Sequence, residues 1–161
     1  MRIGREICLS LSESGYTIAI HYNSSENEAS DLADIINSRG GKAACFSGDL
    51  LDQSMPAKLF EEIKHELGPV SGVVNNASLF RFDDISNVTM ESWNRHMHVN
   101  ALSPTLLISE LSRNLPSGKV GSVLNILDQK ISQPNPDYQS YTACLLYTSD
   151  AADERSSVDL G

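Results

Sequence analysis

Short β-branched runs alternate with stretches of helical spacing along this chain, and the connections between them are brief. Thr17-Ile18-Ala19-Ile20-His21-Tyr22 reads as a buried strand. A helix precedes it, from Arg5 to Ser14, with Ile7, Cys8 and Leu11 on one face and Gly15 placed to end it. Asn27 to Arg39 follows as a helix with Leu32, Ile35 and Ile36 inward, stopped by Gly40-Gly41, and Lys42 to Ser47 is the next strand. Ser54 to Leu67 is an amphipathic helix on Leu59, Phe60, Ile63 and Leu67, ended by Gly68-Pro69. Ser71 to Asn75 is a strand, Met90 to Leu115 a long helix bent near Pro104, Val120 to Leu127 the last clear strand, and a further helix starts near Tyr138. Helix and strand in strict turn imply an α/β fold, an open parallel sheet covered on both faces.

At 161 residues the chain holds one domain, and 40% hydrophobic with 20% charged residues suits a globular protein. A formal charge of −9 argues against a nucleic-acid surface or an anionic membrane as partner. Cys8, Cys45 and Cys144 are odd in number and far apart, which fits a reducing compartment and neither a disulfide framework nor a zinc site. His96 and His98 lie two apart on a helix, so they face different ways and make a poor metal pair; they are expected at or near the surface. With no membrane-length apolar run and no leader, the expected location is cytoplasmic.

Both ends are expected to be cut. The first helix begins almost at Met1, without the opening strand that lies at the centre of a doubly wound sheet. After Ala143 the periodic pattern stops.

In open α/β sheets ligands bind beyond the strands' C-terminal ends. There the sequence places Asn75-Asn76-Ala77-Ser78, and further on Asp128, with Tyr141 thirteen residues later. Each has a plain reading: a turn held by local amide bonds, a helix cap, a core tyrosine. Together they resemble the short-chain dehydrogenase/reductase family, over residues 2 to 143. Arg2-Ile3-Gly4 resembles the end of its glycine-rich cofactor loop, and Gly48-Asp49-Leu50 the acidic turn that meets the adenine. Asn75-Asn76-Ala77 matches the family's Asn-Asn-Ala-Gly turn, with Ser78 in the glycine's place, and Asn100 fits the helix asparagine that supports the catalytic lysine through water.

Within the family, Asp128 stands where serine is usual, and this resembles the pteridine reductases. Ser78 and Phe80 match the positions where a serine bonds the pterin and a phenylalanine stacks on it. The resemblance therefore implies an incomplete Rossmann-type doubly wound parallel sheet and a reductase transferring hydride from NADPH to a pterin C=N bond. Tyr141, helped by Asp128, would supply the proton, and the parent would be a homodimer or homotetramer. Strand Thr17–Tyr22 continues into Asn23-Ser24-Ser25 with no acid before Glu26. A carboxylate there would bond the NAD ribose, whereas Tyr22, Asn23, Ser24 and Ser25 tolerate a 2′-phosphate. Arg2 is the nearby arginine able to reach the phosphates, so NADP is the expected cofactor.

One departure stands out. The family lysine four residues after the tyrosine is replaced by Leu145, so the fragment is expected to be inactive. From Cys144 the run Cys-Leu-Leu-Tyr-Thr-Ser is similar to a translated sequencing-library adapter. Residues 1–143 are accordingly expected to be a partial NADP-binding domain and 144–161 a non-native tail. Two alternatives stay open: another reductase of the family acting on a carbonyl or acyl-carrier substrate, and a non-catalytic nucleotide-binding or dimerising remnant.

Overall fold

The computed structural model describes residues 2–134 and 136–153; the side chains of Arg2 and of residues 150–153 are outside that description. The fold is α/β, and the chain divides into two compact units, Met1–Gly72 with Ser109–Ser122 and Val73–Ile108 with Val123–Gly161.

In the first unit, α1 (Arg2–Glu13), β1 (Ile18–Tyr22), α2 (Glu26–Ser38), β2 (Ala43–Ser47) and α3 (Met55–Glu66) follow in order. Helix α1 ends where Gly15 takes φ +89°, a left-handed conformation that costs glycine no Cβ clash. The Gly15 and Tyr16 N–H groups then return to the carbonyls of Ser12 and Leu11 at 2.9 and 3.1 Å. Strands β1 and β2 pair in parallel, Ile18 opposite Ala43 through Tyr22 opposite Ser47, so α2 is the crossover between them. The Asn37 side chain closes that crossover: its amide donates to the Ala43 carbonyl at 3.1 Å and its oxygen accepts the Ala43 N–H at 2.8 Å.

Ile18, Ile20 and Ala43 from the strands pack with Leu9 of α1 and with Ala29, Leu32, Ala33 and Ile36 of α2. The inward face of α1 thus centres on Leu9, with Cys8 and Leu11 only partly buried beside it. A second cluster joins Phe46, Leu50 and Leu59.

Beyond these lie β3 (Gly72–Asn75), α4 (Met90–Met97), α5 (Ser103–Asn114), β4 (Ser122–Asn125) and α6 (Gln139–Asp153). Strand β3 neighbours β4, so the four strands found among the described residues pair as β1 with β2 and β3 with β4. Strand β4 is shorter than Val120 to Leu127, since a turn from Pro116 to Lys119 precedes it and Val120 is exposed.

The expected bend at Pro104 is corrected in kind and place. A π-helical turn, His98–Leu102, separates α4 from α5, and Pro104 sits just inside the start of α5. A proline there brings no N–H to the carbonyl four residues back, which is that of Asn100. Among the described residues no helix is long and apolar enough to cross a membrane.

Candidate active site

Asp128 and Tyr141 meet in the second unit, where Asp128 serves two purposes with two oxygens. Oδ1 accepts the Lys130 N–H at 3.0 Å and caps the 3₁₀ turn Gln129–Ile131, while Oδ2 accepts from the Tyr141 hydroxyl at 3.3 Å. Asp128 is thus both the cap of that turn and a hydrogen-bond partner of the Tyr141 hydroxyl. Burial and then the Asp128 charge push the phenol above its ordinary value, while the Ser78 hydroxyl beside it pulls the other way. Nothing at Leu145 opposes this: that side chain is 5% exposed and apolar.

Phe80 reaches the same place from the loop after β3. Its ring stacks on Tyr138 at 4.1 Å and 10°, and Tyr141 meets it edge-on at 4.7 Å. Tyr138 in turn takes Phe82 edge-on and carries the Lys130 ammonium 4.9 Å from its ring centre. Even so, Phe80 is 51% exposed, so half of it stays open to a planar ligand. Tyr138 itself adopts φ +60°, the left-handed region that a bulky side chain seldom enters, and α6 starts at the next residue.

Asn100 lies in the π turn and is buried. Its side chain clamps the Leu79 backbone, accepting the N–H at 2.8 Å and donating to the carbonyl at 2.9 Å, and so fixes the loop that bears Ser78 and Phe80. Its carbonyl, to which Pro104 four residues on brings no N–H, accepts the Thr148 hydroxyl at 3.2 Å. Asn75, Ser78, Asn100, Asn125, Leu145 and Thr148 line a cavity of about 20 Å³ here, where Leu145 occupies the place expected of the lysine. The described part of 144–161 is helical, with Cys144 and Leu145 buried.

Residues that the sequence reading passed over hold this site in position. Asp83, 2% exposed, accepts the Ser140 N–H at 3.0 Å on Oδ1, and the hydroxyls of Ser140 at 2.5 Å and Ser92 at 3.0 Å on Oδ2. Burial pushes its carboxyl up, but the bonds from Ser140 and Ser92 outweigh that and hold it below the ordinary aspartate range. His96, expected near the surface, is 1% exposed. Its Nε2 accepts the Arg81 N–H at 3.2 Å and its Nδ1 faces the Ser92 carbonyl at 2.8 Å, so the proton is assigned to Nδ1. One signal for Asp83 was available: the residue before α6, Tyr138, has no side chain able to cap a helix, so the cap had to come from elsewhere.

The remaining cofactor candidates divide between the units. Asn76, Ala77 and Ser78 are exposed in the second unit, at the end of β3. In the first unit Ile3 is exposed and Gly4 half-buried on α1, and the Arg2 side chain lies outside the described residues. Tyr22 packs on the core, Asn23 and Ser24 are exposed, and the Ser25 side chain makes no capping bond at the start of α2. Asp49 is exposed and its side chain accepts the Leu51 N–H at 2.9 Å. The Leu50 side chain belongs to the core with Phe46 and Leu59. Among the described residues no three His, Cys, Asp or Glu side chains are grouped to hold a metal.

The model of the short chain dehydrogenase family matches residues 2–144. The chain belongs to that family. A short-chain type dehydrogenase/reductase of Picea abies is 33% identical over 149 residues, covering 88% of this chain and 55% of its own length. The alternative dihydrofolate reductase FolM of Brucella suis, solved in complex with NADP, superposes with a TM-score of 0.89 at 34% identity. That match covers 94% of this short-chain dehydrogenase and 60% of the FolM chain. The angucycline C-6 ketoreductase LanV with bound NADP gives 0.85 at 27% identity, over 93% and 60% of the two chains. This family member thus spans little more than half the length of these relatives.

Proposed function

We propose that this chain carries the NADP-binding and proton-handling part of a short-chain reductase that acts on a pterin C=N bond, and that Leu145 leaves it unable to turn over. The observation that supports this most is the joining of Asp128, Tyr141 and a half-open Phe80 in one unit. An aromatic face beside a carboxylate and a phenol suits a flat heteroaromatic ring bearing N–H donors. The FolM likeness supports the same substrate class.

The residues at the end of β1 fit a phosphorylated ribose. Asn23 and Ser24 are exposed, the Ser25 hydroxyl makes no capping bond, and a carboxylate that would repel a 2′-phosphate is absent from Tyr22 to Ser25. Arg2, Ile3 and Gly4 are assigned to the phosphates, Asp49 and the Leu50 backbone to the adenine, and Asn76, Ala77 and Ser78 to the nicotinamide side. When bound, NADPH supplies the hydride. Phe80 then holds the pterin ring by stacking, Ser78 bonds it, and Tyr141 passes a proton from its hydroxyl while Asp128 steadies that hydroxyl. With the phenol held above its ordinary value and no cation at position 145, proton transfer at neutral pH is slow.

The test is a titration of an oxidised pterin, which still carries the C=N bond, in the presence of NADPH, with NADPH oxidation followed in parallel. The pterin is expected to bind without turnover, and Phe80→Ala to weaken binding about tenfold, the equivalent of about 1.4 kcal/mol of stacking. Leu145 also favours the second reading, a remnant that only binds nucleotide. Nucleotide binding without any pterin binding would select it, and reduction of a ketone in preference to pterin would select a carbonyl reductase of the LanV kind.

We assign residues 1–143 to the nucleotide-binding part and 144–161 to a tail of separate origin, supported by the family match ending at residue 144. An uninterrupted genomic locus encoding the chain through Gly161 would overturn that assignment.

A further inference from the structure

We propose that Asp83 is a positioning residue for the site: it caps α6 from a distance and thereby sets where the Tyr141 hydroxyl stands. A helix leaves its first N–H groups without partners, and a side-chain oxygen just before the helix normally accepts one of them. At α6 that place falls to Tyr138, whose phenol cannot fold back on the backbone. Asp83 supplies the missing acceptor from 57 residues upstream, taking the Ser140 N–H on Oδ1. Its own carbonyl takes the preceding N–H, that of Gln139, at 3.1 Å.

The grip exceeds what a cap requires. Oδ2 accepts the Ser140 hydroxyl, so both carboxylate oxygens hold the one residue that directly precedes Tyr141. The same Oδ2 accepts from Ser92, whose hydroxyl also belongs to the capping box at the start of α4 with Thr89. Two helix starts are thereby tied to one buried carboxylate, and a negative charge at each start is favoured by the helix dipole. His96 secures the loop from the other side through the Arg81 N–H, two residues before Asp83. The Tyr141 hydroxyl meets Asp128 at a long 3.3 Å, with the Ser78 hydroxyl beside it, so its own contacts hold the ring only loosely. Its placement comes from the helix start.

This inference rests on the reading above only for what Tyr141 does, and its test uses neither pterin nor NADPH. The five tyrosines of the 161-residue chain are ring-labelled with ¹³C, and their ring correlations are recorded at neutral pH. Tyr141→Phe identifies the Tyr141 signal. In Asp83→Asn, which keeps the shape but loses an acceptor, that signal is expected to move most of the way to the position shared by exposed Tyr16 and Tyr147. Ser140→Ala loses one of the three bonds and is expected to give a smaller shift in the same direction, and it stands in if Asp83→Asn fails to fold. Thr89→Ala weakens the start of α4 without touching the Asp83 carboxylate, and should leave the Tyr141 signal in place. A Tyr141 signal unmoved in folded Asp83→Asn or in Ser140→Ala would overturn the proposal. So would an equal shift in Thr89→Ala, because the effect would then be general loosening.

Discussion

Replacing Leu145 by lysine is expected to lower the titration of the Tyr141 phenol by about 3 units, while methionine at the same position leaves it where it is. Residues 141 and 145 lie one helical turn apart on α6 and share a face. A cation about 4 Å from the phenolate is worth roughly 4 kcal/mol at an effective dielectric near 20, which is about 3 pK units. It would act against burial and the Asp128 charge, both of which now push the phenol upward. Housing the ammonium has a cost, because Leu145 is buried and the cavity beside it is only about 20 Å³. The cavity lining offsets part of this, since it is polar at Asn75, Ser78, Asn100 and Asn125, and the Asn100 carbonyl now accepts from the Thr148 hydroxyl. The difference in phenolate absorbance between Leu145→Lys and its Tyr141→Phe double variant, followed against pH, measures the shift. No fall in the midpoint would mean that the two positions are not neighbours in solution.

Asp83→Ala is expected to destabilise the second unit by about 3 kcal/mol. It leaves three donors, the Ser140 N–H and the Ser140 and Ser92 hydroxyls, without their acceptor in a buried place. Chemical denaturation of the variant beside the unaltered chain reads this directly. Acid should reproduce part of it. Because the folded carboxyl lies below its unfolded value of about 3.9, its contribution is complete above about pH 4. The contribution disappears as the pH falls through the folded value. The titratable groups facing it include His96 from α4, Cys144 from α6 and the adjacent Asp84, and Asp83→Asn should flatten the acid limb of the stability profile. An unchanged acid limb would show that the carboxylate is not what holds the helix start.

The sequence showed the elements of this fold clearly because their signals are local. The isoleucines in β1, and Leu32 with Ile36 on α2, report their own burial through spacing alone. Boundaries moved by a residue or so where caps decide them, as at Gly15. Pro104 misled because a proline inside a helical pattern usually marks the bend, while here the π turn before it absorbs the irregularity. Asp128, Tyr141 and Phe80 were legible because the family spacing carries them. Asp83 and His96 were not: their partners are the start of a helix 57 residues away and the backbone of a loop, and neither leaves a periodic trace. Leu50 is the opposite case: its motif is local, yet the motif does not say that the side chain packs with Phe46 and Leu59.

The Asn100 carbonyl has a wider meaning. Pro104 brings it no N–H and the π turn holds it, so the acceptor belongs to the α4–α5 segment and not to α6. A threonine hydroxyl now fills a socket where the resemblance would seat the lysine's water, and the fold closes around it all the same. On the reading proposed above, architecture and reactivity are separable here: the leucine at position 145 would silence the chemistry without altering the α4–α5 frame. Close superposition on working reductases is what a silent bystander of the same build would also give.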